Sequence, residues 1–599
     1  VDDASQDGSG EALAKIPGLR LLRNSQNLGF IGACNAGAAA ARGEFLVFLN
    51  NDTCVQPGWL DALLATFAQH PDTGLAGSKL VYPDGRLQEA GGLVFADGSA
   101  WNYGRFDDPA HPQYNFVRET DYCSGAAIAL PRTLFEQLHG FDPHYAPAYY
   151  EDTDLALRVR RAGRKVRYQP ASLVAHYEGI SSGTDINHGI KAHQAVNQRK
   201  FLRRWRAELA LRQPPPALRD RIADAVAYRH RHRVLVLDAL TPMPDRDSGS
   251  VRMRALLRLL CEEGCSVDFF AENRMHDGAY SEALQQLGVR VWWHPWIADV
   301  PAWLREHGPR LDLVIVSRHY VLAPLLPLLR DYAPNARIVF DTVDLHFLRE
   351  QREADLANDP ALQRIAARTR DSELSLVRRS DLTWVVSPHE QSLLRQLAPE
   401  ARVQVLSNIH AVHARTPGFA KRRDIAFVGS FRHPPNVDAA RWLAEEIFPR
   451  VRARDSEIRL HLIGGGAPDE VAAYGQRPGI VFHGQVSDLD PLLDEMRLNL
   501  APLRYGAGVK GKINHSLARG LPTVATSCAI EGMHLSPDAD VLVADDANAF
   551  ADAVLKLYSD EPLWLRLRAG GIENAHRHFS PAAARATLKG LLAELPAHG

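Results

Sequence analysis

Residues Phe45 to Trp59 read "FLVFLNNDTCVQPGW". Five apolar residues stop at Asn50-Asn51-Asp52, and Pro57-Gly58-Trp59 then opens the helix-like segment "GWLDALLATFAQH". A short apolar run bounded by turn residues reads as a buried strand, and the change of period after it reads as a strand followed by a helix. The strand therefore carries two carboxamides and a carboxylate at its tip. Asn and Asp are ordinary turn and cap residues. Yet the carboxyl ends of strands in parallel α/β sheets are also where ligands gather, so the reading depends on what else reaches this tip.

Outward from this stretch, apolar runs such as "LRLL" and "EFLVFL" alternate with helical segments from Val1 to about Trp205, the pattern of an α/β unit. The chain opens on "VDDASQDGSGEAL", which reads as a strand end, a loop and a helix, so the expectation is a unit truncated at its N-terminus. Residues 206–231 are basic and polar and are broken by Pro214-Pro215-Pro216, through which no helix continues; they read as a linker. A new strand, "RVLVLDA", begins at about Arg233, and an amphipathic helix from about Val251 to Glu263 stops at Gly264, as a Rossmann-type half begins. Further strands are expected at "LDLVIVS", "ARIVFDT" and "LTWVVS". After "ARTPGFAKRRD" the pattern restarts with "IAFVGSF", "RLHLIGGG", "GIVFHG", "TVATS" and "VLVAD". The expected domains are 1–205, 232–416 and 417–599, all α/β.

A chain of 599 residues is too long for one core. A formal net charge of −2 leaves no nucleic-acid footprint. Six cysteines without a CxxC pair or an even ladder indicate neither a disulfide framework nor a zinc site, which fits a reducing cytoplasm. No apolar run is long enough to span a bilayer, and peripheral contact with the inner face of the cytoplasmic membrane stays open.

Four polar elements in the first part belong together: Asp2-Asp3, Asn50-Asn51-Asp52, Glu151-Asp152-Thr153-Asp154 at a helix start, and His176 closing "SLVAHY". A diphosphate leaving group needs a hard divalent cation, and oxygen ligands with an imidazole suit Mg²⁺ or Mn²⁺. Asp52 and His176 are the candidate ligands. An acceptor hydroxyl needs a base, and a carboxylate at a helix start is held by backbone N–H groups. Asp152 is the candidate, with Glu151 or Asp154 as alternatives.

The ordered segments "VDDASQDGS", "NSQNLGFIGACNAGAAAARGEFLVFLNNDTCVQPGW", "GSKLVYPDGRLQEAGG", "DYCSGAAIALPRTLFEQLHGFD" and "YYEDTDLALRVRRAGRKVRYQPASLVAHYEG" resemble family 2 glycosyltransferases of the GT-A fold, in particular their rhamnosyltransferase-like branch. The resemblance implies that Asp2 contacts the donor base, Asp52 is the metal-binding aspartate, His176 completes the metal site, and Asp152 is the base of an inverting transfer. Asn50 stands where many relatives carry the first Asp of a DxD element.

In "LAPLRYGAGVKGKINHSLARGLPTVATSCAIEGM", Gly506, Gly508 and Gly511 precede a helix with Lys510 and Lys512 at its start. Backbone N–H groups plus lysine at a helix N-terminus form an anion site. Together with "PDRDSGSVRMRALLRLL", "DTVDLHFLREQREADL", "SDLTWVVSPHEQSLL" and "FVGSFRHPPNVDAARWL", this stretch resembles family 4 glycosyltransferases of the GT-B fold. The resemblance implies that Lys512 grips a diphosphate and Glu531 lies near the donor. His515 stands where a ribose-binding carboxylate is expected and Ser430 where a diphosphate-binding Arg is expected; Arg432 or His433 would have to substitute for the latter. Asp247-Ser248-Gly249 and His346 are further residues that would face the cleft.

The expected protein is a fusion of a metal-dependent, inverting GT-A glycosyltransferase and a metal-independent, retaining GT-B glycosyltransferase. It would use nucleotide-sugar donors and lipid-linked or oligosaccharide acceptors of a surface glycan. The competing readings are that one module only binds glycan, or that the whole chain is a non-catalytic glycan-binding scaffold. Sugar-nucleotide synthesis would need a dinucleotide or nucleotidyl-transfer fingerprint at a strand-to-helix start, and the sequence carries neither.

Overall fold

The computed structural model describes residues 1–177, 193–216, 226, 229–413, 415–506 and 508–596. Parts of the segment read as a linker, and Ala507 of the glycine-rich loop, lie outside the described residues. The chain divides into two units, Val1–Arg229 with Gln285–Val291, and His230–Leu284 with Trp292–Gly599.

The first unit is built on a sheet whose strands run in the order Phe45–Leu49, Ala127–Pro131, Thr73–Val81, Lys165–His176, Thr53–Val55. Only Thr73–Val81 and Lys165–His176 pair in parallel; the other three pairings along this path are antiparallel. The sheet of this α/β unit is therefore mixed.

Two local expectations also change. Phe45–Leu49 is an edge strand, with Leu46 and Phe48 buried and Val47 and Leu49 exposed. Phe48 packs its ring 5.1 Å from those of both Phe135 and Phe141. The run Leu19–Leu22 forms no strand; an isolated bridge pairs Asp2 with Arg23, and Asp2 N–H donates to Leu22 O at 2.8 Å. Leu209, past the boundary drawn at Trp205, is buried in the core of this unit.

The second unit holds two sheets of parallel strands. In the first half the order is Ser266–Ala271, Arg233–Asp238, Leu313–Ser317, Arg337–Asp341, Leu382–Val385, Val403–Val405. In the second it is Ile480–Gly484, Leu460–Ile463, Arg423–Val428, Met496–Ala501, Thr523–Ala525, Leu542–Val543. Central strands such as "LVIVS" are buried throughout, because helices cover both faces of such a sheet and leave no solvent side. The final helix, Pro581–Ala593, leads back to the first half: Glu594 at its end pairs with Arg337 and Arg402. No described helix is long and apolar enough to cross a membrane.

Candidate active sites

In the first unit the strand Phe45–Leu49 ends where Asn50 donates its N–H to the carbonyl of Ala126 at 2.9 Å, and Thr53 Oγ1 donates back to Asn50 O at 2.6 Å. The chain thus turns tightly at Asn50-Asn51-Asp52, and Asn50 is held through its backbone. Residues Thr53–Val55 then pair antiparallel with the end of the long strand, Thr53 opposite His176, and Tyr177 N–H donates to Asp52 O. This pairing brings His176 Nε2 to 3.2 Å from Asp52 Oδ1. On its other side His176 Nδ1 lies 3.0 Å from Gln88 Oε1.

With Nδ1–H donating to that oxygen, Nε2 turns a lone pair towards a carboxylate oxygen. Asp52 Oδ1 is buried and accepts no hydrogen bond among the described residues. Two electron-rich atoms at this separation suit a cation between them, since cis ligands of a small octahedral ion at about 2.1 Å lie about 3 Å apart. The donor set therefore fits a divalent metal.

The helix Glu151–Arg161 follows two consecutive left-handed residues, Tyr149 (φ 73°) and Tyr150 (φ 76°). Such backbone is costly for bulky residues and persists only where the surroundings enforce it. Asn197 does so by donating to the carbonyls of Tyr145, Ala148 and Tyr149, and Tyr150 OH donates to Gly98 O. The three acidic residues of the first turn then separate by their partners. Asp154 is fully buried, ion-paired to Arg158 at 2.7 Å, and accepts from Trp205 Nε1 and Tyr145 OH, which marks it as a structural anchor.

Asp152 is half-buried. Its Oδ2 accepts from Gly125 N–H at 3.0 Å and its Oδ1 from Thr153 N–H at 2.6 Å. Burial pushes its carboxyl above the ordinary range, against these hydrogen bonds. Glu151 is 6% exposed, and its Oε2 has no hydrogen-bond partner among the described residues. Burial, then the neighbouring Asp152 charge, raise it well above a normal glutamate.

A residue that the sequence reading passed over also belongs here. Glu89, 0% exposed, accepts from Ser124 N–H at 2.9 Å, and burial lifts its pKa to about 8, with the Asp152 charge adding to the shift. Successive backbone groups of one tripeptide thus hold three polar elements: Ser124 N–H holds Glu89, Gly125 N–H holds Asp152, and Ala126 C=O holds Asn50. Gly125 is closely approached, since a Cβ there would lie 3.3 Å from the Phe30 ring and 3.6 Å from Asp152 Cβ. Its partner, "QEAGG", carries a glutamate in a short strand and gives no sign from sequence of full burial.

Asp2 is buried. Its carboxylate accepts from Ser5 N–H and lies 3.2 Å from Arg23 Nε, while Asp3 accepts from Gly29 N–H and Asn24 Nδ2 at the start of the helix Gly29–Ala40.

In the second unit, Lys510 and Lys512 stand at the start of the helix Gly511–Ala518, which has no side-chain cap. Lys512 Nζ donates to Asn436 Oδ1 at 2.7 Å and sits 4.4 Å above the Phe427 ring. Burial, then the Lys510 charge, lower its pKa to about 7. Lys510 Nζ donates to Gly508 O, and burial lowers its pKa too.

Two enclosed lysines at a helix N-terminus, whose ammonium forms burial disfavours until an anion arrives, form a site of anion affinity. Gly511 is required there: a Cβ would lie 2.4 Å from Ser248 Cβ, where the helix Ser248–Glu262 begins under its cap Asp247. Glu531 pairs with Arg352 at 2.8 Å and with His389 at 3.0 Å. Burial raises its pKa, but the Arg352 hydrogen bonds together with the charges of Arg352, His389 and Lys510 lower it overall.

Arg432 is exposed and lies against Gly466, and Ser430 offers its carbonyl to Asn436. His515 is 2.9 Å from Asp490, a carboxylate the sequence reading did not single out, which also binds Arg519. His346 is buried beside Glu373 and Asp344.

A compact mixed α/β unit joined to a pair of doubly wound halves is the architecture of glycosyltransferases of two fold types, GT-A and GT-B. Residues 1–137 match the family described as "Glycosyl transferase family 2", and residues 422–560 match "Glycosyl transferases group 1". The chain is a fusion of two glycosyltransferase modules, the two matches falling on separate stretches.

The "O-antigen biosynthesis protein RfbC" of Myxococcus xanthus is 35% identical over 161 residues, 25% of this chain and 12% of that protein, so the chain spans a small part of that relative's length. The "N-acetylglucosaminyl-diphospho-decaprenol L-rhamnosyltransferase" of Mycobacterium tuberculosis is 29% identical over 223 residues, 32% of this chain and 70% of that protein. The solved structure of Anabaena Alr3699/HepE in complex with UDP is 15% identical with a TM-score of 0.46, covering 61% of this chain and 100% of its own.

Proposed function

We propose that the first module transfers a sugar from a nucleotide-sugar donor to a glycan hydroxyl with inversion, and that the second module, without a metal at the diphosphate, uses a second nucleotide sugar. Domain limits of 1–205, 232–416 and 417–599 belong to the same reading. The observation that carries it is the tripeptide Ser124–Ala126, which ties the tip Asn50-Asn51-Asp52 to Asp152 through adjacent backbone groups.

Asp52 and His176 would hold a divalent cation, Mg²⁺ or Mn²⁺, which when bound supplies charge neutralisation for the departing diphosphate. Gln88 orients the His176 ring so that Nε2 faces the cation. Asp152, kept in place by Gly125 and Thr153, takes the proton of the acceptor hydroxyl on a carboxylate oxygen. Its raised affinity for protons makes it a better base than an exposed aspartate. Glu151 stands beside it in support, and Asp2 and Asn50 belong to the donor side.

In the second module Lys510 and Lys512 would grip the donor diphosphate, with Glu531 and Arg432 at the margin of the same site. A retaining transfer rests on the family 4 resemblance. The names of the relatives support a surface polysaccharide such as O-antigen as the product and a lipid-linked acceptor; work at the inner face of the cytoplasmic membrane belongs to the same reading.

A second reading, in which the second module binds glycan without transfer, draws on His515, which is tied to Asp490 where a carboxylate is expected. The test is nucleotide release by the full chain from a panel of nucleotide sugars, with and without EDTA. One donor should be consumed only in the metal-replete enzyme and a second in both conditions. Release indifferent to EDTA for every donor removes the metal-dependent step. An absence of any EDTA-resistant release favours the binding role for the second module.

A further inference from the structure

We propose that His319, His346 and Glu373 form a binding site for a divalent cation of the zinc class in the first half of the second unit, apart from Asp52 and His176. One nitrogen from each histidine and one Glu373 oxygen lie within 4.8 Å of one another. The topology accounts for the convergence. Strands Leu313–Ser317 and Arg337–Asp341 pair in parallel, and each is followed by a helix whose first residue is a histidine: His319–Tyr332 and His346–Ala357. Neighbouring strands therefore deliver both imidazoles to one edge, with ring centroids 5.0 Å apart. Glu373 comes from the next helix, Pro360–Arg379.

Glu373 is 0% exposed; Oε1 accepts from His346 N–H at 3.2 Å and Oε2 from Phe347 N–H at 2.9 Å. Each oxygen keeps a second lone pair. His346 Nδ1 is 3.5 Å from Glu373 Oε1 and 3.5 Å from Asp344 Oδ1. Glu350, which acts electrostatically on His319, has a buried Oε2 without a hydrogen-bond partner among the described residues. Arg349, paired with Asp344, is the neighbouring cation. Arg318 also acts on Asp344 but is paired with Asp238, so three carboxylates against the Arg349 guanidinium leave a surplus of negative charge around two imidazoles, which favours a metal cation.

Both entry loops also carry strained backbone, with Arg318 at φ 74° immediately before His319 and Val343 at φ 64° three residues before His346. Such outliers cluster at functional sites. Nitrogen and oxygen ligands at about 2.0–2.1 Å in a tetrahedral shell lie about 3.3 Å apart, and rotation of the imidazoles about their broad second torsion closes the difference. Three protein ligands leave a fourth position for an oxygen of a bound molecule, at the carboxyl edge where open α/β sheets bind ligands.

The test uses the full chain carrying Asp52→Asn, which disables the pair in the first module. It is titrated with Co²⁺ and then Zn²⁺, followed by visible absorption and by metal content after dialysis. One Zn²⁺ per chain is expected, displacing Co²⁺ with loss of its tetrahedral absorption. His319→Ala or His346→Gln should weaken binding about tenfold or more. Glu373 also caps a helix, so His319→Ala, which leaves that cap in place, carries the decision. No retained Zn²⁺, or equal stoichiometry and affinity in both histidine variants, overturns the site and leaves His346 as a structural partner of Glu373.

Discussion

Asp152→Asn separates the chemistry of the first module from its folding. The carboxylate accepts from Gly125 N–H, Thr153 N–H and Thr153 Oγ1. An asparagine keeps one acceptor oxygen and turns an NH₂ group towards a donor on the other side, at a cost of about 0.5–1.5 kcal/mol for one lost hydrogen bond. Against that, the substitution removes a charge that burial disfavours and that lies near Glu151 and Glu89. The net stability change should stay within about 1 kcal/mol.

The sign with pH follows from the raised folded-state pKa. Folding strengthens proton binding at Asp152, so its ionisation detracts from stability as pH rises above the unfolded value, and the variant should gain relative to wild type towards neutrality. Loss of a general base should instead slow transfer by about 10²- to 10⁴-fold, equivalent to about 2.7–5.4 kcal/mol in the barrier. The assay is EDTA-sensitive nucleotide release, with donor affinity and thermal unfolding measured on the same protein. Release within about threefold of wild type, at unchanged donor affinity, would refute the base assignment.

Three further outcomes follow from the same geometry. His176→Ala should raise the Mn²⁺ concentration needed for half-maximal EDTA-sensitive activity by at least about tenfold, and Gln88→Ala should raise it less; metal titrations that superimpose on wild type would dissociate His176 from the cation. Glu89 has its folded pKa raised to about 8, so its contribution to stability is fully present below the unfolded glutamate pKa and is lost as pH rises towards 8. Glu89→Gln should remove that loss, a difference of no more than about 5 kcal/mol, read by urea denaturation at acidic and alkaline pH. Lys512, lowered to about 7, is mostly neutral in the free protein at pH 8. A nucleoside diphosphate bound there should draw in a proton, visible as a dependence of calorimetric heat on buffer ionisation, and Lys512→Met should abolish the uptake.

The alternation of apolar runs and helical segments declares an α/β chain, because strand and helix periods follow from which faces must be buried. The glycine-lysine loop is equally local: Gly506, Gly508, Lys510, Lys512 and the helix they precede are neighbours in sequence, so the anion-binding character of the stretch is written into it. The first-module site is a product of tertiary structure. Asp52 and His176 meet only because Thr53–Val55 adds to the edge of the strand ending at His176, and pairing register is a long-range property. Glu151, Asp152 and Asp154 share one helical turn and one chemistry; their partners alone distinguish an anchored Asp154 from an Asp152 held by two backbone amides and a threonine hydroxyl. Glu89 was illegible for the same reason, since an acidic residue in a short strand reads as solvent-facing until the fold covers it. Composition and periodicity decide which elements form, whereas the desolvation that tunes a carboxylate exists only once distant segments have closed over it.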